Sequence, residues 1–310
     1  MPREFEIIRK YFRPLADIPT SETDILVNQG DDCAVVEYCG KLAFSIDTQV
    51  ENVHFLRSMS AADIAYRGLA CALSDLAAMG AQPAFFSLAL SLTGQEDESW
   101  LADYTRGLTE LATQLKIPLL GGDTTRASSI IQTFQVHGTV SRPLTRAGAR
   151  PGDLIVISHT PGLGMAGLNA YHHNGPTELQ ACYLRPYPQI PLGVFISEFA
   201  TAAIDISDGL LADLGHILDQ SDVGAELQLD TLQLDPRFCQ WVDPSRQLEW
   251  ALTGGDDYQL CFTCSPEHRS RLLQAPAPLQ IIGEITTHKH LRCLHHGKEI
   301  QFDHTGYQHF

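Results

Sequence analysis

Lysine is scarce in this sequence. There are five in 310 residues, and Lys plus Arg reach only 21 against 37 Asp plus Glu, a formal net charge of −16. No basic run interrupts that excess. A nucleic-acid binder needs a cationic face to displace counterions, so that class is excluded. Long apolar runs are missing too, and none approaches the roughly 20 residues that a membrane-spanning helix requires. Residues 1–13 mix charges of both signs without a continuous apolar stretch, so no signal peptide is expected and the chain reads as soluble and cytosolic. Paired cysteine spacing is absent as well. Of eight cysteines only Cys261 and Cys264 form a C-x-x-C, with no second pair at zinc-site spacing. Free thiols in a reducing compartment are the better reading. There is also no G-x-x-x-x-G-K-[ST] loop and no HRD or DFG kinase signature.

What is present supplies real cores: 44% of residues are hydrophobic and 19% charged. The length exceeds what one core usually holds, so two domains are expected. Pro143, Gly148, Pro151 and Gly152 cluster near the middle, placing an N-terminal domain at 1–145 and a C-terminal one at 146–310. Both halves alternate strand-like and helix-like segments, the pattern of two α/β domains. In the first half the periodicity predicts strands at 42–46, 84–92, 116–120 and 130–140. It also predicts a helix opening at Ser60 and another over 96–115. In the second half it predicts strands at 154–158, 203–206, 258–263 and 280–285, with helices at 163–171, 209–220 and 266–273. Gly162, Gly164 and Gly167 make a G-x-G-x-x-G after a strand. The following residues 171–181 read as loop, whereas a dinucleotide fold requires a second strand with an acidic end.

The acidic residues with chemical promise sit in turn-like sequences. Gly30-Asp31-Asp32 precedes a strand, Ser45-Ile46-Asp47-Thr48 ends one, and Gly121-Gly122-Asp123-Thr124-Thr125 follows one. Asp205-Ile206-Ser207-Asp208-Gly209 joins a strand to a helix, and Gly254-Gly255-Asp256-Asp257 opens the last strand region. Each alone is explained as a turn former or helix cap. Asp75 resists that explanation, because Leu69, Ala70, Cys71, Leu73, Leu76, Ala77 and Ala78 make its helix apolar nearly all round. A buried carboxylate needs a partner or a cation. Together these oxygen-rich segments suit Mg²⁺, which bridges a few carboxylates to substrate phosphates. The alternative is an acidic protein with well-capped turns. His54 follows the Asp47 turn, within reach of a phosphate held there. The histidines at 288, 290, 295, 296, 304 and 309 crowd the C-terminal tail without a helical H-x-x-x-H and carry little information.

The motifs gain meaning from their order. Gly30-Asp31-Asp32-Cys33-Ala34, Ser45-Ile46-Asp47-Thr48, Asn52-Val53-His54-Phe55, Leu73-Ser74-Asp75-Leu76-Ala77-Ala78-Met79-Gly80 and Gly121-Gly122-Asp123-Thr124-Thr125-Arg126 come first. Leu144-Thr145-Arg146, Asp205-Ile206-Ser207-Asp208-Gly209, Gly254-Gly255-Asp256-Asp257-Tyr258 and the closing Gly306-Tyr307-Gln308-His309-Phe310 follow. From about residue 4 to the last, the chain resembles the thiamine-monophosphate kinases, of the superfamily that also holds aminoimidazole ribonucleotide synthetase. The resemblance implies a two-domain α/β fold of α+β type, with N-terminal domains contributing strands to a dimer barrel. It implies ATP-dependent phosphorylation of thiamine monophosphate with several Mg²⁺ ions, in a homodimer. It places Asp32, Asp47, Asp75, Asp123 and Asp205 as metal ligands, with Ser45 and the Ile46 backbone assisting and Asp208 holding a further ion. Asp75, Asp123 and Asp205 are the implied catalytic carboxylates. Tyr104, Gly122, Asp123, Arg146 and Ser207 correspond to nucleotide-binding positions, and His54, Asp256 and Tyr307 to those that hold thiamine monophosphate.

Three positions depart from the family pattern. Gln29 stands before Gly30 where a second glycine is usual, Ile46 replaces a common Thr, and Asp256 replaces a Glu, shortening its reach by one methylene. Within the superfamily, a carbamoyl dehydratase or selenophosphate synthetase would carry a reactive cysteine at the tail or near the N-terminus, and neither is present. A Mg²⁺-dependent phosphohydrolase and a nucleotide-binding regulator without turnover remain as alternatives from other classes.

Overall fold

The computed structural model describes residues 4–29 and 33–307. The chain divides into one unit of Met1–Leu76 with Ala81–Ser141 and a second of Ala77–Gly80 with Arg142–Phe310.

In the first unit, β1 (Asp24–Val27) and β2 (Val35–Glu37) form a small antiparallel pair. The main sheet comprises β3 (Leu42–Val50), β4 (Gln82–Leu92), β5 (Leu119–Arg126) and β6 (Ile131–Thr139), in the order β3-β6-β4-β5. Only the β4–β5 pair is parallel. β6 shows a two-residue period, burying Gln132, Phe134, Val136 and Gly138. Helix Ala61–Ala78 presses on that face: a Cβ at Gly68 would come within 2.3 Å of the Gln132 side chain. Ser60 Oγ accepts the Asp63 N–H while donating to the Asp63 carboxylate, so the helix start is capped reciprocally. Helix Glu98–Leu115 crosses the first at Gly107, where a Cβ would meet Ala62 O at 2.1 Å.

Two strands differ from expectation. The strand expected at 116–120 starts only at Leu119, because Lys116 closes the preceding helix in the left-handed region at φ 57°. β5 then continues to Arg126, held by parallel pairing with β4, so Gly121-Gly122-Asp123 lies inside a strand and not after one. β3 likewise runs past Ile46 to Val50, and Asp47 is a mid-strand residue. Its polar end is masked in sequence because Gln49 is buried, accepting a hydrogen bond from Gln132 Nε2 at 3.0 Å.

The second unit is built on seven strands. They are β7 (Leu154–Ser158), β8 (Ala202–Ile206), β9 (Gly224–Gln228), β10 (Gln259–Cys264), β11 (Leu279–Thr286), β12 (Leu291–His295) and β13 (Lys298–Ile300). Their order is β13-β12-β9-β11-β7-β10-β8, antiparallel except for β9–β12. Ile155, Ile157, Ile204, Leu214, Ile217 and Leu227 share one core, to which helix Leu210–Ser221 contributes its apolar stripe. Within the segment read as loop, helix Thr177–Leu184 forms, followed by Ile190–Ile196. Among the described residues no helix is long and apolar enough to cross a membrane, and all eight cysteines are free.

Candidate active site

In the first unit, β3 alternates half-buried Ser45 and Asp47 with exposed Phe44, Ile46 and Thr48. The inward side chains thereby face helix Ala61–Ala78. Ser45 Oγ donates to Asp75 Oδ2 at 2.5 Å. Burial raises the Asp47 carboxyl above its ordinary pKa; the nearby charge of Asp75 acts in the same direction, and Arg67 against it. Arg67 is itself only 1% exposed, a cation kept within the fold beside this acidic pair. The outward-facing Ile46 has only its carbonyl to offer as a ligand. His54 Nδ1 accepts the Val50 N–H at 3.1 Å, so the neutral ring carries its proton on Nε2.

Gly122 and Asp123 are both exposed on β5. A Cβ at Gly122 would fall 1.9 Å from Leu88 O, and its φ is +153°, so the position excludes any larger residue. Asp47 pairs with Phe134, Phe134 with Leu88 and Leu88 with Gly122. That row spans three strand spacings, about 14 Å, so Asp47 and Gly122–Asp123 form separate groups on the sheet. A cavity of about 760 Å³ opens beside the second group, lined among others by Phe12, Cys33, Ser87, Gly121, Gly122 and Asp123. Tyr104 lies in the core. It is fully buried, stacked on Trp100 with ring centroids 5.1 Å apart, and its hydroxyl donates to Gln132 Oε1 at 2.7 Å. With this bond in place the hydroxyl has only its acceptor lone pairs left to offer a nucleotide. Asp32 lies outside the described residues.

The second unit gathers five of the expected residues around one loop. Asp205 is 7% exposed near the end of β8, an edge strand of its sheet. Ser207 O accepts the Asp256 N–H at 2.8 Å, and Asp208 O accepts the Tyr307 N–H at 2.9 Å. The Tyr258 hydroxyl donates to Asp256 Oδ1 at 3.1 Å, aiming that carboxylate. Asp256 has φ +68°, a left-handed conformation that Asp tolerates better than most residues. Tyr307 is exposed. Arg146 is exposed on the segment leading into this unit, where Thr145 O accepts the N–H of Ala203 at the start of β8.

Two carboxylates to which the sequence assigned no role shape this loop, Asp257 within the Gly254-Gly255-Asp256-Asp257 motif and Asp213 outside any. Asp213 Oδ2 accepts the N–H groups of Ser207, Asp208 and Gly209 at 2.9, 3.1 and 3.1 Å. Burial pushes its carboxyl up to about 6. Asp257 accepts Gly162 N–H on one oxygen at 2.6 Å and Gly164 N–H on the other at 2.8 Å, and burial pushes it up to about 7. The G-x-G-x-x-G is therefore a packing device. A Cβ at Gly164 would strike Asp256 O at 2.3 Å, and one at Gly167 would strike Leu179 O at 2.5 Å. The only sequence signal for Asp213 is an acid in the first turn of a helix, a common cap preference.

Comparison with known proteins agrees with this fold. The AIR synthase related protein N-terminal domain family matches residues 30–140, and its C-terminal domain family matches residues 150–296. The chain is 40% identical over 323 residues to the thiamine-monophosphate kinase of Escherichia coli (strain K12), covering 99% of this chain and 98% of that protein. Among solved structures, the thiamine-monophosphate kinase of Stenotrophomonas maltophilia K279a superposes with a TM-score of 0.85 at 35% identity, covering 93% of this chain and 95% of the other. AaThiL complexed with AMPPCP and TMP gives a TM-score of 0.80 at 27% identity, covering 99% and 96%. With two AIR synthase related domains and near-complete coverage of its relatives, the chain belongs to the thiamine-monophosphate kinase family.

Proposed function

We propose that this protein transfers the γ-phosphoryl group of ATP to thiamine monophosphate, yielding thiamine diphosphate and ADP. The observation that carries the reading is the 40% identity along 99% of the chain to a kinase of that name. The acceptor is itself a phosphate whose second pKa is near 6, so its attacking oxygen is largely ionised at neutral pH and needs no general base. Transfer then depends on aligning two polyanions and neutralising charge on the moving group. A chain of net charge −16 has few cationic side chains for that task.

The donor set fits Mg²⁺. Ser45, Asp47 and Asp75 offer oxygen alone, and the raised carboxyl of Asp47 reflects its burial first and the nearby Asp75 charge second. Asp32, Asp47, Asp75, Asp123, Asp205 and Asp208 are the proposed ligands, with Ser45 and the Ile46 carbonyl assisting. Bound Mg²⁺ supplies the positive charge that the phosphoryl group needs. The chain's own residues do the positioning. Gly122 lets the β5 backbone approach closely, and Asp213 fixes the N–H groups of Ser207 and Asp208. His54 presents Nε2–H as a donor for the acceptor phosphate, while Asp256 and Tyr307 hold thiamine monophosphate. Tyr104 and Arg146 complete the proposed nucleotide set.

Residues 1–145 are proposed as the domain for metal, ATP and dimer contacts, and 146–310 as the α/β domain supplying the remaining ligands. A homodimer is supported by edge strand β3, which exposes Leu42, Phe44 and Ile46 at 44, 65 and 66%. Free thiols throughout support a cytoplasmic home. The test is ADP release from Mg·ATP with and without thiamine monophosphate, with thiamine and pyridoxal phosphate as controls. ADP formed only with thiamine monophosphate, and matched by thiamine diphosphate, is expected. ADP formed regardless of acceptor would make the protein a phosphohydrolase and overturn the kinase reading.

A further inference from the structure

At the other edge of the seven-stranded sheet, three side chains converge that the proposed reaction does not use. Asp230 lies in the turn Leu229–Thr231 directly after β9, and His295 ends β12. The parallel pairing of Leu294 with Gln228 brings those two strand ends together. His296 and Gly297 form the two-residue connection to β13, with φ of +52° and +71°. A two-residue left-handed turn of this kind is a usual hairpin connection. The His296 N–H donates to Asp230 Oδ2 at 2.8 Å, which orients the carboxylate toward both rings. Asp230 Oδ1 then lies 2.8 Å from His296 Nδ1 and 3.7 Å from His295 Nε2. The imidazole centroids are 4.0 Å apart, and one donor atom from each of the three residues falls within 4.8 Å of the others.

We infer that Asp230, His295 and His296 form a binding site for a borderline divalent cation of the zinc, cobalt and nickel class. Bonds near 2.1 Å in tetrahedral geometry put donor atoms roughly 3.3–3.5 Å apart, a spacing these three reach with small side-chain rotations. Two imidazole nitrogens and one carboxylate oxygen select that class over Mg²⁺, which prefers oxygen throughout. Three protein donors leave a fourth position for water. The ion pairs that Asp230 makes among the described residues are with these imidazoles, not with Lys or Arg. The hydrogen bond from the His296 backbone does for the carboxylate what an outer-shell partner does in known metal sites. Five strand spacings, about 24 Å, separate β12 from β8 and its Asp205–Asp208 loop, so the site is distinct from the acidic one. A cation there would clamp the β12–β13 hairpin to the end of β9.

The test uses the full-length protein, free of affinity tags and stripped with a chelator. It is titrated with Co²⁺ at pH 7.5 in excess Mg²⁺, followed by visible d–d absorption and calorimetry. His295→Gln is the main variant because it keeps the Asp230–His296 hydrogen bond, and Asp230→Asn is the second. Wild type is expected to take up one more saturable equivalent of Co²⁺ than either variant, and to lose it on acidification as the imidazoles protonate. Zn²⁺ should raise the melting temperature of wild type and leave that of His295→Gln unmoved. Phosphoryl transfer in both variants should equal wild type, reporting that they are folded. Equal Co²⁺ uptake by wild type and His295→Gln, or no saturable uptake by wild type, overturns the inference.

Discussion

Replacing Asp257 by Asn removes a buried charge while keeping the side chain's shape, and the consequence depends on pH in a way that follows from the structure. In the folded protein burial pushes the Asp257 carboxyl up to about 7, against about 3.9 in an unfolded chain. The folded state therefore holds the proton more tightly. Wild-type stability from this group is greatest below the unfolded value, falls as pH climbs from about 4 to about 7, and is level above that. Three units at 1.36 kcal/mol each make the loss about 4 kcal/mol. The residue is only 6% exposed, so solvent screens this figure little. Asn does not titrate. It accepts one glycine N–H through Oδ1, but its amide nitrogen faces the other, and a buried donor left unsatisfied costs about 1–3 kcal/mol at every pH. Asp257→Asn is thus expected to be less stable than wild type near pH 4.5 and equal to it or more stable near pH 8.5. Urea unfolding of both proteins across this range measures the gap, and titrating groups that do not interact with Asp257 cancel in the difference. A gap that stays constant within about 1 kcal/mol would refute the placement of an unpaired, enclosed carboxylate against Gly162 and Gly164.

Asp75→Asn should lower phosphoryl transfer by about 100-fold or more, because it removes one of the charges proposed to hold the cations at the transferring group. The fold should persist, since Asn still accepts the Ser45 hydroxyl; Mg²⁺ should raise the melting temperature of wild type more than that of the variant, and near-wild-type turnover would remove Asp75 from the site. Gly122→Ala should cost about 3 kcal/mol or more, since its Cβ would lie 1.9 Å from a strand carbonyl and its φ is +153°. An unchanged denaturation midpoint would contradict the close β4–β5 approach.

Fold class was legible because the buried strands announce themselves. Residues 154–158 and 203–206 are apolar enough that β7 and β8 differ from expectation by one residue at most. The errors fall where polar residues occupy strands for reasons other than local preference. Gln49 sits inside β3 because a buried amide network receives it, and Asp47 because β3 pairs with β6 as far as Val50, and neither partner is near in sequence. Gly121-Gly122-Asp123 reads as a turn by composition and becomes a strand only through pairing with β4. The Asp230 cluster escaped for a related reason. His295 and His296 are adjacent in a tail crowded with histidines, and only the β9–β12 pairing supplies their carboxylate.

The same reasoning separates two kinds of aspartate that sequence cannot. Asp208 lies before Gly209 and Asp213 one helical turn after it, and Asp256 and Asp257 are neighbours, so position alone does not assign their roles. Their partners differ. Asp213 and Asp257 spend their oxygens on backbone N–H groups and are enclosed by the fold. Asp208 and Asp256 are also tied to the loop through their backbone groups, Asp208 O to Tyr307 N–H and Asp256 N–H to Ser207 O, while the Asp256 carboxylate accepts the Tyr258 hydroxyl. A loop that must meet polyanions through cations needs both kinds, because a ligand carboxylate is useful only if its backbone is held still. The inward aspartates provide that rigidity at the expense of a buried charge, and the division of labour follows from partner and burial.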